Sequence, residues 1–394
     1  MDKGSASMVT MANREYIDVV IVGGGQAGIS LSYYLKQKQV PHIVLERERA
    51  FASWHNRWEG FQANTPNWMN TLPMLDPKRY PSHKQVGFAM KEELVEYFEE
   101  CLRAVDPPIK NNVNVGKVVQ LDNGNWEVPT DDVIYETPHV AICIGAMCTP
   151  KIPKVAASLP ATVPQLHSSE YRSPAQISTK NILLVGSGSS GMQICRLLIQ
   201  SGRFANIHLA VSNVLVLPTR FLGIQIHRFL HFFGLFDVRK DSLIGKLMYS
   251  NLETKGDPIM PPSPADLGKL HGVQLHGRVT GGDSTSVQFG DETTLSTDDL
   301  TVIWCTGFVG DYSFIQTHNP ADVFTSYGYP NHMRGVVDAA PGLYFVGLRY
   351  QHTVGSHDIY GVGKDAKYVA EQIASKRSAN GQTVRPAMSV PSAS

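Results

Sequence analysis

Asp18-Val19-Val20-Ile21-Val22-Gly23-Gly24-Gly25-Gln26-Ala27-Gly28 decides the fold. The apolar run reads as a fully buried strand, the glycines as a turn, and residues 26–36 as a helix. A side chain at such a turn would block the close approach of backbone amides and a helix N-terminus to a pyrophosphate, so glycine is required sterically. The following apolar strand ends on Glu46, about 20 residues beyond the turn, where a carboxylate can accept both hydroxyls of an unphosphorylated adenosine ribose. Glycine triplets arise easily in a chain with 34 glycines. Here the strand before, the helix after and the acid at the end of the second strand are separate requirements, and all are met. The expected dinucleotide contacts are Gly23, Gly25, Gln26, Ala27, Gly28 and Glu46.

The same grammar returns downstream. Asn181-Ile182-Leu183-Leu184-Val185 runs into Gly186-Ser187-Gly188-Ser189-Ser190-Gly191, followed by a helix to about residue 200 and a strand at 207–211. Gly186, Gly188, Ser189, Ser190 and Gly191 are the expected contacts of a second dinucleotide. No acid follows the second strand of this repeat; the chain reads Ser212-Asn213 and reaches Arg220. A cation near that place accommodates a 2′-phosphate, so Ser212 and Arg220 are candidates for an NADPH phosphate, with Arg203 as an alternative. Arg220 reads equally well as a solvated surface charge.

The fold class is therefore α/β, with two Rossmann-like dinucleotide-binding domains, the second inserted in the first. The expected division is a flexible N-terminus at 1–15, a first domain at 16–150 and 305–378, a second at 151–304, and a flexible tail at 379–394 rich in small residues and proline. Within this frame, strands are expected at 140–144, 300–304 and 343–347, hairpins at 113–128 and 273–289, and helices at 91–104 and 362–375. Gly145, Gly307, Gly347 and Gly361, at strand ends and before the last helix, join the cofactor candidates, since that helix offers free amides to an electron-rich ring.

Composition narrows the classes. The chain is 42% hydrophobic and 18% charged, ordinary for a soluble globular protein, and Lys+Arg and Asp+Glu are both 35, so no bulk field attracts nucleic acid. No leader-like or membrane-spanning run is seen, and a cytoplasmic location is expected. The five cysteines are scattered, without the close pair that disulfide reductases use for thiol exchange.

Residues 51–72 lack simple periodicity and are crowded with aromatics; Trp54, Arg57 and Trp58 there are cofactor candidates, against the alternative of a surface loop anchored by its tryptophans. His227 and His231 have helical spacing for two metal ligands but lack a third, so no metal is expected. Residues 221–236 and His352 are candidate walls of a substrate region, with packing an equal reading. One site for an unphosphorylated dinucleotide and one for a second suggest electrons passing from nicotinamide to flavin, with FAD at the first.

Ser53-Trp54-His55-Asn56-Arg57-Trp58, Asn64-Thr65-Pro66, His167-Ser168-Ser169-Glu170-Tyr171 and Cys305-Thr306-Gly307-Phe308-Val309-Gly310-Asp311 resemble, in order, motifs of the single-component flavin-containing monooxygenases, which include the plant auxin-forming YUCCA-type enzymes. The likeness spans residues 16–373. It implies an enzyme in which NADPH reduces FAD, oxygen forms a flavin 4a-hydroperoxide, and one oxygen atom passes to a nitrogen, sulfur or carbonyl centre of a small organic substrate. By the resemblance, Asn64 is the catalytic candidate beside the flavin, and an amide suits that place because it donates a hydrogen bond without removing a proton. His167 and Tyr171 match a signature between the nucleotide domains, with a structural or gating role, and Gly307 and Asp311 match the linker back to the first domain. Departures are Ala161 and Val163 where the signature has Phe-x-Gly, and Asn213 where relatives often have arginine, which keeps NADH open beside NADPH. A flavin oxidase or reductase without oxygen transfer, and a nucleotide-sensing binding protein, are the competing readings.

Overall fold

The computed structural model describes residues 13–76, 87–211, 214–255 and 257–379. Ser212 and Asn213 lie outside the described residues, as does most of the expected flexible N-terminus and tail. Asn13–Tyr16 is a correction to that N-terminal expectation: it is an edge strand, parallel to Val133–Thr137. All four of its residues are exposed, so backbone pairing holds it and no apolar pattern announces it.

The first unit is built on a five-stranded parallel sheet in the order Leu343–Phe345, His139–Ile142, β1 (Val19–Val22), β2 (His42–Leu45) and Ile109–Lys110. Between β1 and β2 the chain forms α1 (Gln26–Gln37). Every residue of β1 and β2 is buried because both sheet faces are covered, which is why these strands read as continuous apolar runs. Val19, Ile21 and Val44 pack on the side of Ile29, Leu31 and Leu35 of α1, while Val20, Val22, Ile43 and Leu45 pack with Trp126, Val128 and Tyr135 of an antiparallel sheet on the other side.

The second unit repeats the plan. Its five parallel strands run Gln165–His167, Leu300–Trp304, β3 (Asn181–Val185), β4 (Asn206–Ala210) and Gln274–His276, with α2 (Ser189–Ser201) joining β3 to β4. Ile182, Leu184 and Leu209 pack with Ile194 and Leu198 of α2; Leu183, Val185 and Ala210 pack with Val279, Val287 and Phe289 on the opposite face. Gln274–His276 departs from the expected hairpin at 273–289, because it joins the parallel sheet through β4 and leaves Val279–Gly282, Ser286–Phe289 and Thr294–Ser296 to form the antiparallel layer.

The first sheet takes strands from both sides of the second unit in the chain, which supports an inserted second domain; its edges at 151 and 304 remain our proposal. The two crossing segments pair with each other, Thr149–Pro150 antiparallel to Phe308–Val309. Three helices, α3 (Ile226–Phe232), α4 (Leu243–Lys255) and Pro264–His271, lie between β4 and Gln274–His276. The last helix, α5 (Ile359–Ala379), starts earlier than the expected 362, and this corrects the placing of Gly361. Gly361 sits inside the first turn, where a Cβ would lie 2.0 Å from the Gly355 carbonyl oxygen, so it serves close backbone approach and does not precede the helix.

Burial also sets an acid limit. His42, held between Ser32 Oγ at 2.7 Å and the Val40 carbonyl at 2.8 Å, is pulled from 6.5 to about 4 by desolvation, and desolvation pulls His139 and His208 to about 4 as well. A depressed folded-state value means that the unfolded chain takes up protons first as pH falls below 6.5, so stability is lost down to about 4. His42 is expected to cost on the order of 2 kcal/mol on going from about pH 7 to about pH 5, and the other two act in the same direction. Denaturant unfolding at the two pH values checks this, and a flat profile would contradict it.

Candidate cofactor and active site

The two glycine turns are near copies in three dimensions. Gly23 has φ +107° and a Cβ there would lie 2.6 Å from the Cys143 carbonyl oxygen; Gly186 has φ +112° and its Cβ would lie 2.4 Å from that of Cys305. A Cβ on Gly28 would meet the Gly23 carbonyl oxygen at 1.9 Å, and one on Gly191 that of Gly186 at 2.0 Å. By contrast Gly25 and Gly188, the N-caps of α1 and α2, have nothing within 4 Å of an added Cβ, and neither helix has a side-chain cap. Gln26 and Ala27, and Ser189 and Ser190, open the two helices. Each turn thus presents uncapped amides at a positive helix end to open space, a cradle that fits a pyrophosphate. Cys143 and Cys305 are the strand-end residues against which the turns pack, and burial pushes both thiols up, which fits packing and not redox exchange.

Glu46 stands beside the first turn. Its Oε2 accepts from the Gly24 amide at 2.6 Å and its Oε1 from the Glu48 amide at 2.9 Å, which orients the carboxylate and leaves further lone pairs for ribose hydroxyls. Gln26 ties three segments together: its Oε1 accepts from Trp54 Nε1 at 3.1 Å, and its Nε2 donates to the His357 carbonyl at 2.8 Å.

Residues 51–72 form a strap anchored by rings, with Phe51 stacked on Phe98 at 4.8 Å and Trp58 edge-on to Phe61 at 5.2 Å. The Arg57 guanidinium lies over Phe61 at 5.2 Å, Trp54 at 5.7 Å and Trp58 at 6.0 Å. Its Nη2 donates to Met147 Sδ at 3.6 Å, and among the described residues no carboxylate pairs with it and its buried Nε has no partner. Desolvation lowers the guanidinium to about 10, so it is charged at neutral pH. A cation held only by ring faces and a thioether fits a phosphate group of a bound dinucleotide.

Asn64 is exposed on the strap, and its position is set from the other unit. Gln193 of α2 donates from Nε2 to Asn64 Oδ1 at 2.9 Å and to the Gln62 carbonyl at 2.9 Å, while its Oε1 accepts from the Gln62 amide at 3.1 Å. The carbamoyl oxygen of Asn64 is engaged, and the Nδ2 hydrogens are left to donate elsewhere. Gln193→Glu is expected to free Asn64 from α2, because a carboxylate cannot donate to Asn64 Oδ1 and repels it. Faster amide hydrogen exchange at residues 62–64 checks this, and Gln193→Asn separates lost reach from lost donor.

The remaining expected residues fall into distinct places. Gly145, Gly307 and Gly347 have φ of +81°, +82° and +89°, the first two beside open space and the third with a Cβ that would lie 2.9 Å from Ala27 Cβ. His167 bonds through Nε2 to the Gly307 carbonyl at 3.0 Å and through Nδ1 to Ser169 Oγ at 2.9 Å, stitching the linker to the second unit. Tyr171 is buried 6.5 Å from Trp58, ring to ring, with its hydroxyl unpartnered among the described residues. Asp311 is exposed and caps its own turn, accepting from the Ser313 amide at 3.0 Å. Arg220 lies exposed in the hairpin Arg220–Phe221/Ile224–Gln225, where its guanidinium donates to the Gly223 carbonyl at 3.3 Å. His352 is half-buried, with its carbonyl accepting from the Lys240 amide at 2.9 Å. His227 and His231 belong to an aromatic cluster, on Phe88 at 5.8 Å and Trp68 at 5.1 Å, and no metal-binding group of three is found among the described residues. Gln193 and His357 were not expected; the only local signal for Gln193 was a polar residue just beyond the last glycine of the second turn.

Known proteins resemble this chain in sequence and in fold. Residues 20–213, which contain both turns, match the pyridine nucleotide-disulphide oxidoreductase family. The chain is 31% identical over 359 residues to an uncharacterized CzcO-like oxidoreductase of Geobacillus kaustophilus, covering 91% of this chain and 98% of that one. It is 27% identical over 383 residues to the indole-3-pyruvate monooxygenase YUCCA1 of Oryza sativa subsp. japonica, covering 88% and 90%. A mutant form of a flavin monooxygenase from Stenotrophomonas maltophilia superposes with a TM-score of 0.70 at 20% identity over 92% of this chain and 99% of that one. Twin uncapped glycine turns and an asparagine strap clamped between two units are thus set in a chain that belongs to the single-component flavin-containing monooxygenase family.

Proposed function

We propose that this enzyme binds FAD at the first turn and a nicotinamide coenzyme at the second, and inserts one atom of molecular oxygen at a nitrogen, sulfur or carbonyl centre of a small organic substrate. The observation that carries this reading is the Gln193 clamp, which joins the helix of the second nucleotide turn to the strap bearing Asn64 over the first. When bound, FAD supplies the redox chemistry and oxygen activation, and the chain supplies binding, orientation and electrostatics.

The amides at Gly25, Gln26 and Ala27 and the Arg57 guanidinium hold the FAD phosphates, Glu46 takes the ribose hydroxyls, and Trp54 fixes the strap through Gln26. The Asn64 Nδ2 amide donates to the reacting oxygen and takes no proton from it. Trp54, Trp58 and Phe61 keep water from the Arg57 side of the site, which strengthens each of these interactions. The coenzyme rests on the amides at Gly188, Ser189 and Ser190, with NADPH as the proposed form; NADH stays usable because Asn213 replaces a phosphate-gripping cation.

Oxygen consumption measured against product and peroxide, with NADPH and then NADH, tests the reading. One product per oxygen is expected with the right substrate, and near-stoichiometric peroxide with every candidate would make the enzyme an oxidase. Asn64→Ala is expected to keep FAD and reduction but to lose about 10- to 100-fold of coupled product, since one preorganised donor at a reacting oxygen is worth that or more.

A further inference from the structure

We infer that the hairpin before α3, together with α3 itself, forms a docking surface for an anionic lipid bilayer. Of the seventeen large hydrophobic side chains exposed among the described residues, five lie between Arg220 and Phe233, in the hairpin, α3 and its C-cap, a concentration that scattered surface exposure does not produce. Leu222 forms the hairpin tip at 84% exposure with φ +49°, a left-handed position that a solvated turn gives to glycine or asparagine. From the hairpin the apolar surface continues ring to ring: Phe221 to Phe229 at 4.9 Å, Phe229 to Phe233 at 4.8 Å, and Phe233 to Phe232 at 5.2 Å. Phe232 is 82% exposed and Phe233 59%.

Charge identifies the occupant. Between Arg220 and Leu247 stand Arg220, Arg228, Arg239, Lys240 and Lys246 against Asp237 and Asp241 alone, a local excess of cations in a chain whose formal net charge is +0. Both acids are already paired, Asp237 with Lys364 at 2.6 Å and Asp241 with Arg239. A two-fold contact with a second copy would set this basic patch against itself, whereas an anionic bilayer accepts the aromatic knuckle in its interface and gains roughly fivefold in binding for each nearby cation. No described helix is long and apolar enough to cross a membrane, so the association is interfacial. The surface also backs onto the strap, because Arg228 lies over the Trp68 ring at 5.7 Å and His231 meets Trp68 at 5.1 Å.

The test is flotation of the FAD-loaded full chain with vesicles of equimolar phosphatidylcholine and phosphatidylglycerol, beside vesicles of phosphatidylcholine alone. Binding to the anionic vesicles is expected to be at least about tenfold tighter and to weaken with salt. The triple variant Leu222→Ser, Phe232→Ser, Phe233→Ser is expected to lose at least about tenfold of that binding. The double variant Arg228→Glu, Lys246→Glu is expected to lose a comparable factor, with flavin content reporting the fold of both. Equal partitioning of the wild type between the two vesicles, or failure to float with either, overturns the inference. A concentration-dependent dimer that the triple variant dissolves, without flotation, would overturn it in favour of a second copy.

Discussion

Gly28→Val is expected to yield protein with less than about one-tenth of its normal FAD content, a loss of at least about 100-fold in affinity. A Cβ at this position would lie 1.9 Å from the Gly23 carbonyl oxygen, and Gly23 cannot yield. Its φ of +107° belongs to glycine, and its own Cβ position is only 2.6 Å from the Cys143 carbonyl oxygen at the end of the neighbouring strand. The turn must therefore open, which displaces the amides at the start of α1 and the Gly24 amide that orients Glu46 at 2.6 Å. Flavin absorbance of purified protein measures the loss. A companion variant separates cradle from fold: Gly25→Val adds a Cβ that would have nothing within 4 Å, so the unfolding midpoint of the flavin-free protein should be unchanged while FAD binding falls by a similar factor. Full flavin content in both variants would move the FAD site away from this turn.

Gly191→Val is expected to leave FAD bound and to slow coenzyme-driven flavin reduction at least about 100-fold. The steric argument repeats in the second unit, where the added Cβ would lie 2.0 Å from the Gly186 carbonyl oxygen and Gly186 is braced against Cys305. Anaerobic bleaching of the flavin band by NADPH reads the effect, and dithionite bleaching shows that the flavin itself is still reducible. An unchanged rate with NADPH would mean that the second turn holds no coenzyme. The two glycine variants together assign one cofactor to each turn, because the turns are alike in shape but only the first has an acid at the end of its second strand.

Much of the architecture was legible because its causes are local. The strands β1 to β4 could be read as apolar runs since both faces of each parallel sheet are covered. Asn13–Tyr16 escaped because an exposed edge strand needs only backbone partners, and Gln274–His276 because a short segment cannot say which neighbour it will pair with. The start of α5 at Ile359 was missed because Gly361 looks like a boundary in sequence and is a contact with Gly355 in space.

The site divides along the same line. The sequence alone determined both glycine turns, the acid at Glu46, the absence of a close cysteine pair and the aromatic strap, since each is a pattern met within a few residues of chain. Only the tertiary structure decided that Gln193 holds Asn64, that Gln26 joins Trp54 to His357, that Arg57 stands without a carboxylate among the described residues, and that Asp311 caps its own turn. The Gln193–Asn64 contact crosses from one unit to the other and the Gln26–His357 contact from one end of the chain to the other, so their geometry exists only after the sheets are packed. Residue type can propose a donor or a cation, but its partner is fixed by which backbones the fold brings within about 3 Å of it.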